Sequence, residues 1–367
     1  MTRSEELKEK HARVSEYMDG HHLDAVLLTR RDNFSWFTGG RDNHVVTSGE
    51  EGVATLLITP KEVTVITNNI EAPRIFGEEL TKKEAKCKFK PWHDSAAAAS
   101  LLKSLIGKKR VASDNAIGRT KLLKPDFAEL RYSLTHSEIK RYRSLGADAS
   151  AAIEAAAKAV KPGMTEFQIA ALLSQQVISR GMEPAVILIA TDERIKKYRH
   201  PIPTGRKVKR CVEMVLCARR NGLVISCTRF VHFGPLPKII ERKHRAVCLV
   251  DAAMNLSSTV GTCVADVFRV ARKMYRKTGF ANEWKLHHQG GPTGYGPREY
   301  LATPTDERCI LPNQALAWNP SITGTKSEDT ILSTPRGVQF LSGPQKWPTI
   351  SVEYNGITLD RPDILVR

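Results

Sequence analysis

The sequence predicts a protein of two domains, an α/β domain followed by an α+β domain. The chain has 367 residues, more than one hydrophobic core ordinarily organises, and 41% of them are hydrophobic, as in globular proteins. Its first third alternates short apolar runs with helical patterns, whereas two long helical patterns and a strand-rich half follow. We therefore expect one domain at residues 1–136 and a second at residues 137–367.

The first domain is predicted from apolar runs that are separated by charged or helical segments. Residues 1–20 are charged with a helical period, and a second helical pattern lies near 96–106. Strands are expected at 23–29, 53–59, 62–67 and 110–113. Strands that alternate with helices indicate an α/β layer structure.

Two helices are predicted to open the second domain. Ser137 is a candidate N-cap for the first helix, which should end at Pro162 and Gly163 because neither residue continues a helix readily. Thr165 and Gln168 have the spacing of a capping box, which predicts the start of the second helix. Further on, strands are expected at 212–218, 223–233, 315–322 and 328–334, forming a mostly antiparallel sheet.

Composition excludes several kinds of protein. The net charge of +17 is dispersed over short patches, so we expect no nucleic-acid partner. There is no stretch of about 18 apolar residues, so we expect no membrane span and a cytoplasmic location. The seven cysteines include no CxxC pair, which argues against a disulfide framework or a zinc knuckle. Cys227 alternates with apolar residues and is expected in the core.

Several segments, taken in order, resemble the pita-bread family that includes creatinase, prolidase and aminopeptidase P. They include PGMTE at 162–166, YRHPIPT at 198–204, the Asn221-Gly222 hairpin, HHQGGPTGYGPRE at 287–299, and AWNPSITGTKSEDTIL at 317–332. LDAVLLTRRDNFSWFTGG at 23–40 is similar to the family's first domain. The resemblance implies a creatinase-like N-terminal domain and a C-terminal pita-bread domain.

The resemblance also implies where metal ligands would lie. Metallopeptidases of this family hold two divalent ions with two Asp, one His and two Glu, since hard cations need anionic oxygens. Alignment puts Val215, Ser226 and Asn319 at three of these positions. Only His287 or His288 and Glu328 remain, so we expect no bound metal and no cofactor.

A creatinase-like role without metal would use a histidine as general acid and base, with support from a glutamate. The catalytic candidates are His200, Glu328, His287 and His288. The candidates for binding a substrate carboxylate are Arg41, Trp36, Arg229, Tyr295, Arg298, Asn319 and Ser226. Arg41 lies where creatinase-like enzymes reach from one subunit into the partner's site, which implies a homodimer with the active site at the subunit interface.

Three functions are consistent with these residues. The leading expectation is a metal-independent hydrolase or lyase that acts on a C–N bond of a small carboxylate-bearing amide, amidine or amino-acid derivative. An alternative is a metal-dependent Xaa-Pro aminopeptidase or dipeptidase. A further alternative is a non-catalytic pita-bread binding module, because relatives of this fold that lost their metal ligands serve as binding domains.

Overall fold

The computed structural model describes residues 1–367, which form two compact units. Unit 1 comprises Met1–Arg131 with Thr135–Glu138, and unit 2 comprises Tyr132–Leu134 with Ile139–Arg367. The expected boundary between residues 136 and 137 falls in the first turn of a long helix that begins at His136. None of the helices combines the length and the apolar character needed to cross a membrane.

Unit 1 is built on a six-stranded mixed sheet with the order β4-β3-β2-β1-β5-β6. Its strands are β1 Ala25–Arg30, β2 Glu51–Ile58, β3 Val63–Asn68, β4 Lys86–Lys90, β5 Val111–Ser113 and β6 Lys121–Leu122. Its helices are α1 Arg3–Gly20, α2 Arg31–Phe37, the single turn α3 Ala72–Arg74 and α4 Ser95–Ile106. The predicted strands and helices of the α/β domain are therefore present, with β4 and β6 added at its edges.

Unit 2 carries five helices and twelve strands. The helices are α5 His136–Ala159, which starts in unit 1, α6 Glu166–Ile178, α7 Glu193–Lys197, α8 Lys238–Ser257 and α9 Val264–Lys277. The strands are β7 Glu183–Thr191, β8 Cys211–Arg220, β9 Leu223–His232, β10 Gly290–Thr293, β11 Gln314–Trp318, β12 Ser321–Ile322, β13 Thr325–Lys326, β14 Asp329–Thr334, β15 Gly337–Phe340, β16 Thr349–Tyr354, β17 Ile357–Pro362 and β18 Leu365–Val366. The sequence analysis did not assign helices α7, α8 and α9 or strands β7, β10, β13 and β15–β18.

Helix starts follow the side chains that cap them, and one predicted cap is wrong. Thr165 and Gln168 form the expected capping box at α6. At α5, however, Thr135 rather than Ser137 is the cap: Thr135 Oγ1 accepts from Glu138 N–H at 3.3 Å, and Glu138 Oε2 accepts from Thr135 N–H at 2.7 Å. Ser137 instead donates to the Met1 carbonyl (3.1 Å). Two residues fit the capping pattern, and only Thr135 has a glutamate three positions later.

Two four-stranded sheets dominate unit 2, with the orders β18-β9-β8-β7 and β10-β11-β14-β15. Asn221 and Gly222 both have positive φ (51° and 78°), as the predicted two-residue hairpin between β8 and β9 requires. The sheets meet where Thr228 N–H donates to the Glu328 carbonyl at 3.1 Å. Apart from the parallel β18–β9 pair, these strands are antiparallel, as expected.

The core of unit 2 lies between helices α8 and α9 and the β10–β15 sheet. Val250 and Met254 of α8, Val267 of α9, and Trp318 and Ile331 of the sheet are buried in one cluster. This core fixes the backbone of β11 and β14, on which part of the candidate site is built.

Candidate active site

The candidate site, which we call the cleft, is framed by β9, β10, β11 and β14, whose register brings separate sequence segments together. Trp318 pairs with Gly290 and Asp329, so the next residue, Asn319, lies between the ends of β10 and β14. Its N–H donates to the Gln289 carbonyl (3.1 Å). Glu328 directly precedes β14 and is joined to β9 through Thr228. Residues around 228, 289, 319 and 328 therefore meet at one place in unit 2.

Three histidines form a cluster, which we call the histidine trio: His200, His287 and His288. One ring nitrogen from each lies within 4.8 Å of the others, and the Nε2 atoms of His200 and His287 are 3.1 Å apart. His200 is exposed on the loop after α7, His288 is half-buried, and His287 is 8% exposed. The predicted catalytic histidines are thus brought together, and His287 and His288 directly precede Gln289 of the cleft.

The histidine rings are neutral at physiological pH. Burial, followed by the charge of Lys326, lowers the pKa of His287 to about 2. Burial, followed by the charge of Arg298, lowers the pKa of His288 to about 4. The pKa of His200, whose ring is only partly covered by the protein, is also lowered, by this partial burial first and by the charge of Lys326 second. A neutral imidazole has a lone pair for a proton, a hydrogen bond or a metal ion.

Glu328 is an ionised carboxylate held by protein cations. Lys326 Nζ lies 2.6 Å from its Oε2, Arg298 Nη2 lies 3.2 Å from its Oε1, and Thr228 Oγ1 donates at 2.7 Å. Burial alone would raise the pKa of Glu328, but the charges of Lys326 and Arg298 outweigh burial and lower it to about 2. The carboxylate is therefore already neutralised by ammonium and guanidinium groups.

Three of the family's metal-ligand positions carry no carboxylate in this chain, and their surroundings differ. Val215 is buried and pairs across the hairpin with Thr228. Ser226 Oγ lies 3.3 Å from Cys217 Sγ and 3.5 Å from Arg298 Nη1. Asn319 is 3% exposed, and its Oδ1 has no partner within the chain. Only Asn319 leaves a buried oxygen available to a ligand.

Sequence reasoning missed Glu213. It lies two residues before Val215, so both side chains are on the same face of β8. It lines a small cavity together with His287, Ser321, Lys326 and others. Burial raises its pKa to about 7, against the opposing charge of Lys326. The signal was a single carboxylate in the apolar run VEMVLCA, a position where a glutamate is rarely buried unless it is paired.

Arg229, a predicted substrate-binding residue, lies away from the cleft. Arg229 is 1% exposed and lies on the opposite face of β9 from Ser226 and Thr228, where its guanidinium pairs with Asp329, which also binds Arg361. It is therefore part of a buried ion network, because a guanidinium taken out of water needs such partners. Its assignment to substrate binding is wrong in this structure.

Trp36 is likewise a core residue of unit 1. It is fully buried, and its ring meets that of Phe127 edge to face at 6.0 Å. Its carbonyl accepts from the buried Lys10 ammonium at 2.6 Å. The side chain presents no surface to a substrate, and the expectation that it does is wrong.

For the remaining candidates, the roles expected from the sequence stay predictions. Arg41 is half-buried in unit 1. Tyr295 is buried, and its N–H donates to Glu299 (2.9 Å). Arg298 lies at the cleft, where its guanidinium contacts Glu328 and Ser226.

Cys227 is buried in β9, and burial raises the pKa of its thiol strongly, as expected for a core residue.

The residues present do not fit a carboxylate-bridged pair of metal ions. Such a pair needs several anionic oxygens, whereas Val215 and Ser226 supply none. Glu328 is bound by two cations, and Asn319 offers one neutral oxygen. The histidine trio does fit a single ion, because its neutral nitrogens are ligands of borderline divalent metals and lie close together.

The fold and the cleft together are typical of pita-bread hydrolases that carry a creatinase-like N-terminal domain. Residues 140–340 match the profile of metallopeptidase family M24, and residues 10–152 match that of the creatinase/prolidase N-terminal domain. The chain therefore belongs to metallopeptidase family M24. The expected fold class and the pita-bread resemblance are confirmed.

Individual relatives agree with this assignment. The chain is 22% identical to an Xaa-Pro dipeptidase of Pyrococcus furiosus over 93% of its own length and 99% of the relative. The prolidase structure from Pyrococcus horikoshii OT3 superposes with a TM-score of 0.78 at 20% identity, covering 92% of this chain and 99% of that one. The N-terminal domain of FACT complex subunit SPT16 from Cicer arietinum gives 0.71 at 10% identity, covering 93% and 97%. At these identities the solved structures show the fold alone.

These matches correct the functional expectation. We expected a metal-independent hydrolase of the creatinase type, but the family is one of metallopeptidases and the relatives are named Xaa-Pro dipeptidases. The metal-dependent alternative is therefore better supported. The expectation rested on the loss of three carboxylate ligands, and it counted one histidine as a possible ligand rather than considering the three histidines together.

Proposed function

We propose that the protein is a metal-dependent hydrolase that cleaves the amide C–N bond of short peptides of the Xaa-Pro kind. The observation that supports this most is the histidine trio, a set of neutral metal-binding nitrogens within 4.8 Å at the cleft of an M24-family fold. The names of the relatives, Xaa-Pro dipeptidase and prolidase, indicate the substrate class.

The chain's own residues would position the substrate and move protons. Arg298 has one nitrogen on Glu328 and another 3.5 Å from Ser226 Oγ, so its guanidinium is fixed at the cleft and suits a peptide carboxylate. Glu213 changes protonation near neutral pH, which suits a group that exchanges a proton with a leaving nitrogen. A bound metal ion would supply a Lewis acid that polarises the scissile carbonyl.

A substrate panel tests the proposal. Purified protein is incubated with Ala-Pro, Met-Pro and the matched Ala-Ala, before and after treatment with a chelator and after return of zinc, cobalt or manganese. We expect Xaa-Pro cleavage that the chelator abolishes and one of these metals restores. Turnover that is unchanged after exhaustive chelation would contradict metal dependence, and cleavage of Ala-Ala alone would contradict the Xaa-Pro preference.

A second candidate function is peptide binding without turnover. It is favoured by the neutralised state of Glu328, whose carboxylate is bound by Lys326 and Arg298 as a structural ion group would be. The same panel distinguishes the two functions, because a binding module would bind Ala-Pro in calorimetry without cleaving it in the presence of any of the three metals.

We further propose a cytoplasmic homodimer in which Arg41 reaches the partner's cleft. The support is the position of Arg41 in a segment similar to the creatinase N-terminal domain, which matches residues 10–152. Mixing two inactive variants, Arg41→Ala and His200→Ala, tests this arrangement. Hybrid dimers should recover part of the activity, and no recovery in a mixture shown to exchange subunits would contradict the shared site.

A further inference from the structure

We propose that His200, His287 and His288 form a mononuclear site for a zinc-like divalent ion, in place of the carboxylate-bridged pair expected for the family. The inference rests on the proposed function, in that it locates the metal on which that function depends. It assigns the ion to the cleft and to nitrogen ligands, with Val215, Ser226 and Glu328 outside the ligand set.

The distances between the rings suit one ion. Zinc holds histidine nitrogens at about 2.0–2.1 Å with tetrahedral angles, which places two ligand nitrogens about 3.3 Å apart. The Nε2 atoms of His200 and His287 are 3.1 Å apart, close to that spacing. The full set of three nitrogens lies within 4.8 Å, and rotation of the exposed His200 side chain can close the remaining difference.

His288 needs a change of ring orientation to take part. Its Nδ1 accepts from Gly290 N–H at 3.2 Å, so Nε2 carries the proton of the neutral ring. A half-turn of the ring gives up this long hydrogen bond, after which the ring proton can move through solvent from Nε2 to Nδ1 and leave the Nε2 lone pair for the ion. His288 is half-buried, and its ring lies 4.4 Å from that of His287, so the turn stays within reach of the same ion.

A partner for the second nitrogen of His287 is available. Metal-binding histidines usually donate their other ring N–H to an acceptor, which fixes the ring. His287 Nδ1 is buried without a partner, and Ser321 Oγ, also buried without a partner, lines the same small cavity. We therefore assign Ser321 as the positioning residue, whose Oγ accepts a hydrogen bond from His287 Nδ1–H when the ion is bound.

The ligand type predicts which metals bind. Three imidazoles and one open position suit zinc, cobalt, nickel or copper, whereas magnesium, calcium and manganese prefer carboxylate and carbonyl oxygens. His200 is exposed, so the fourth position faces solvent. Lys326 and Arg298 both bind Glu328, so this carboxylate is engaged and the three imidazoles remain the ligand set.

Calorimetric titration of metal-stripped full-length protein with zinc and with manganese tests the site. We expect one zinc per chain, no comparable manganese binding, and a loss of affinity of at least about 100-fold in His200→Ala, since changes outside the ligand set alone typically cost 10–100-fold. Ser321→Ala should weaken zinc binding about 10-fold or more. His136→Ala, which removes an exposed histidine on α5, is the matched control and should bind as the unaltered protein does. The cobalt-loaded protein should show the intense visible absorption of low-coordinate Co²⁺, which His200→Ala should lose.

The outcomes separate this inference from the proposed function. Zinc bound by the trio without peptide cleavage would support the inference and contradict the peptidase. Metal-dependent cleavage with zinc affinity unchanged in His200→Ala and in His288→Ala would overturn the inference and leave the peptidase standing. Binding of two ions per chain would also overturn the inference. So would a zinc affinity of the unaltered protein that is no higher than that of the double variant His200→Ala/His287→Ala.

Discussion

Glu213 illustrates how position in the fold changes the chemistry of one residue. Its ordinary pKa of 4.5 is raised to about 7, chiefly by burial. Between these two pH values the folded chain keeps a proton that the unfolded chain releases, so the stability contribution of Glu213 falls as pH rises. The total change is about 3 kcal/mol for a shift of this size.

Replacing Glu213 removes this pH dependence. In Glu213→Gln, the free energy of unfolding relative to the unaltered protein should increase by about 3 kcal/mol between pH 4.5 and pH 8. Urea denaturation at several pH values measures the difference. Glu193→Gln alters an exposed glutamate and is the control. Equal pH dependence in the two variants would contradict the raised pKa of Glu213.

Lys326 makes the shortest ion pair of Glu328. Lys326→Met leaves Arg298 and Thr228 in place and should lower the free energy of unfolding by about 2–3 kcal/mol at pH 7, because a buried carboxylate loses a charged partner. The matched control is Lys196→Met, whose pair with Glu193 is exposed and should matter by less than about 0.5 kcal/mol. Equal effects of the two changes would show that Lys326 is not an essential partner.

At the scale of secondary structure, the start of α5 distinguishes the predicted cap, Ser137, from the observed cap, Thr135. Thr135→Ala should cost about 1 kcal/mol because it removes the acceptor for Glu138 N–H. Ser137→Ala should cost less than about 0.5 kcal/mol, since its hydroxyl donates only to the Met1 carbonyl. Chemical denaturation of both variants measures the difference, and the reverse order would contradict the cap described here.

Gly146 explains why α5 can approach the loop after β15. A Cβ at this position would lie 1.9 Å from the Leu341 carbonyl oxygen, which is backbone and cannot turn aside. Gly146→Ala should therefore destabilise the protein by about 2–3 kcal/mol or more, although alanine favours a helix. Gly205→Ala, which meets no atom within 4 Å, should be nearly neutral. A stabilising Gly146→Ala would contradict this packing of α5.

Local patterns predicted most of these elements. The Asn221-Gly222 turn and the Thr165–Gln168 capping box each depend on residues that are adjacent or nearly so, and both were predicted. Strand β7, Glu183–Thr191, was missed: between Pro184 and Thr191 it is an uninterrupted apolar run, which gives no alternation to identify a strand. The order of strands in each sheet depends on distant pairings that no local pattern records.

At the scale of the whole molecule, the sequence located the cleft but did not establish its chemistry. The ordered motifs placed His200, His287, His288 and Glu328 in one region, and the structure brings the three histidines together. The sequence could not show that Arg229 pairs with Asp329 in a buried ion network, or that Glu213 joins the site. Those outcomes depend on the sheet as a whole, because neighbouring strands decide which face is buried in the core.

The central claim is that one metal ion is held by nitrogen ligands in an M24-family cleft. An anomalous-scattering map from crystals of the zinc-loaded protein, recorded at the zinc absorption edge, tests it most directly. We expect a single peak per chain at bonding distance from ring nitrogens of His200, His287 and His288. A peak beside Ser226, Asn319 and Glu328, a pair of peaks, or no peak in the cleft would contradict the claim.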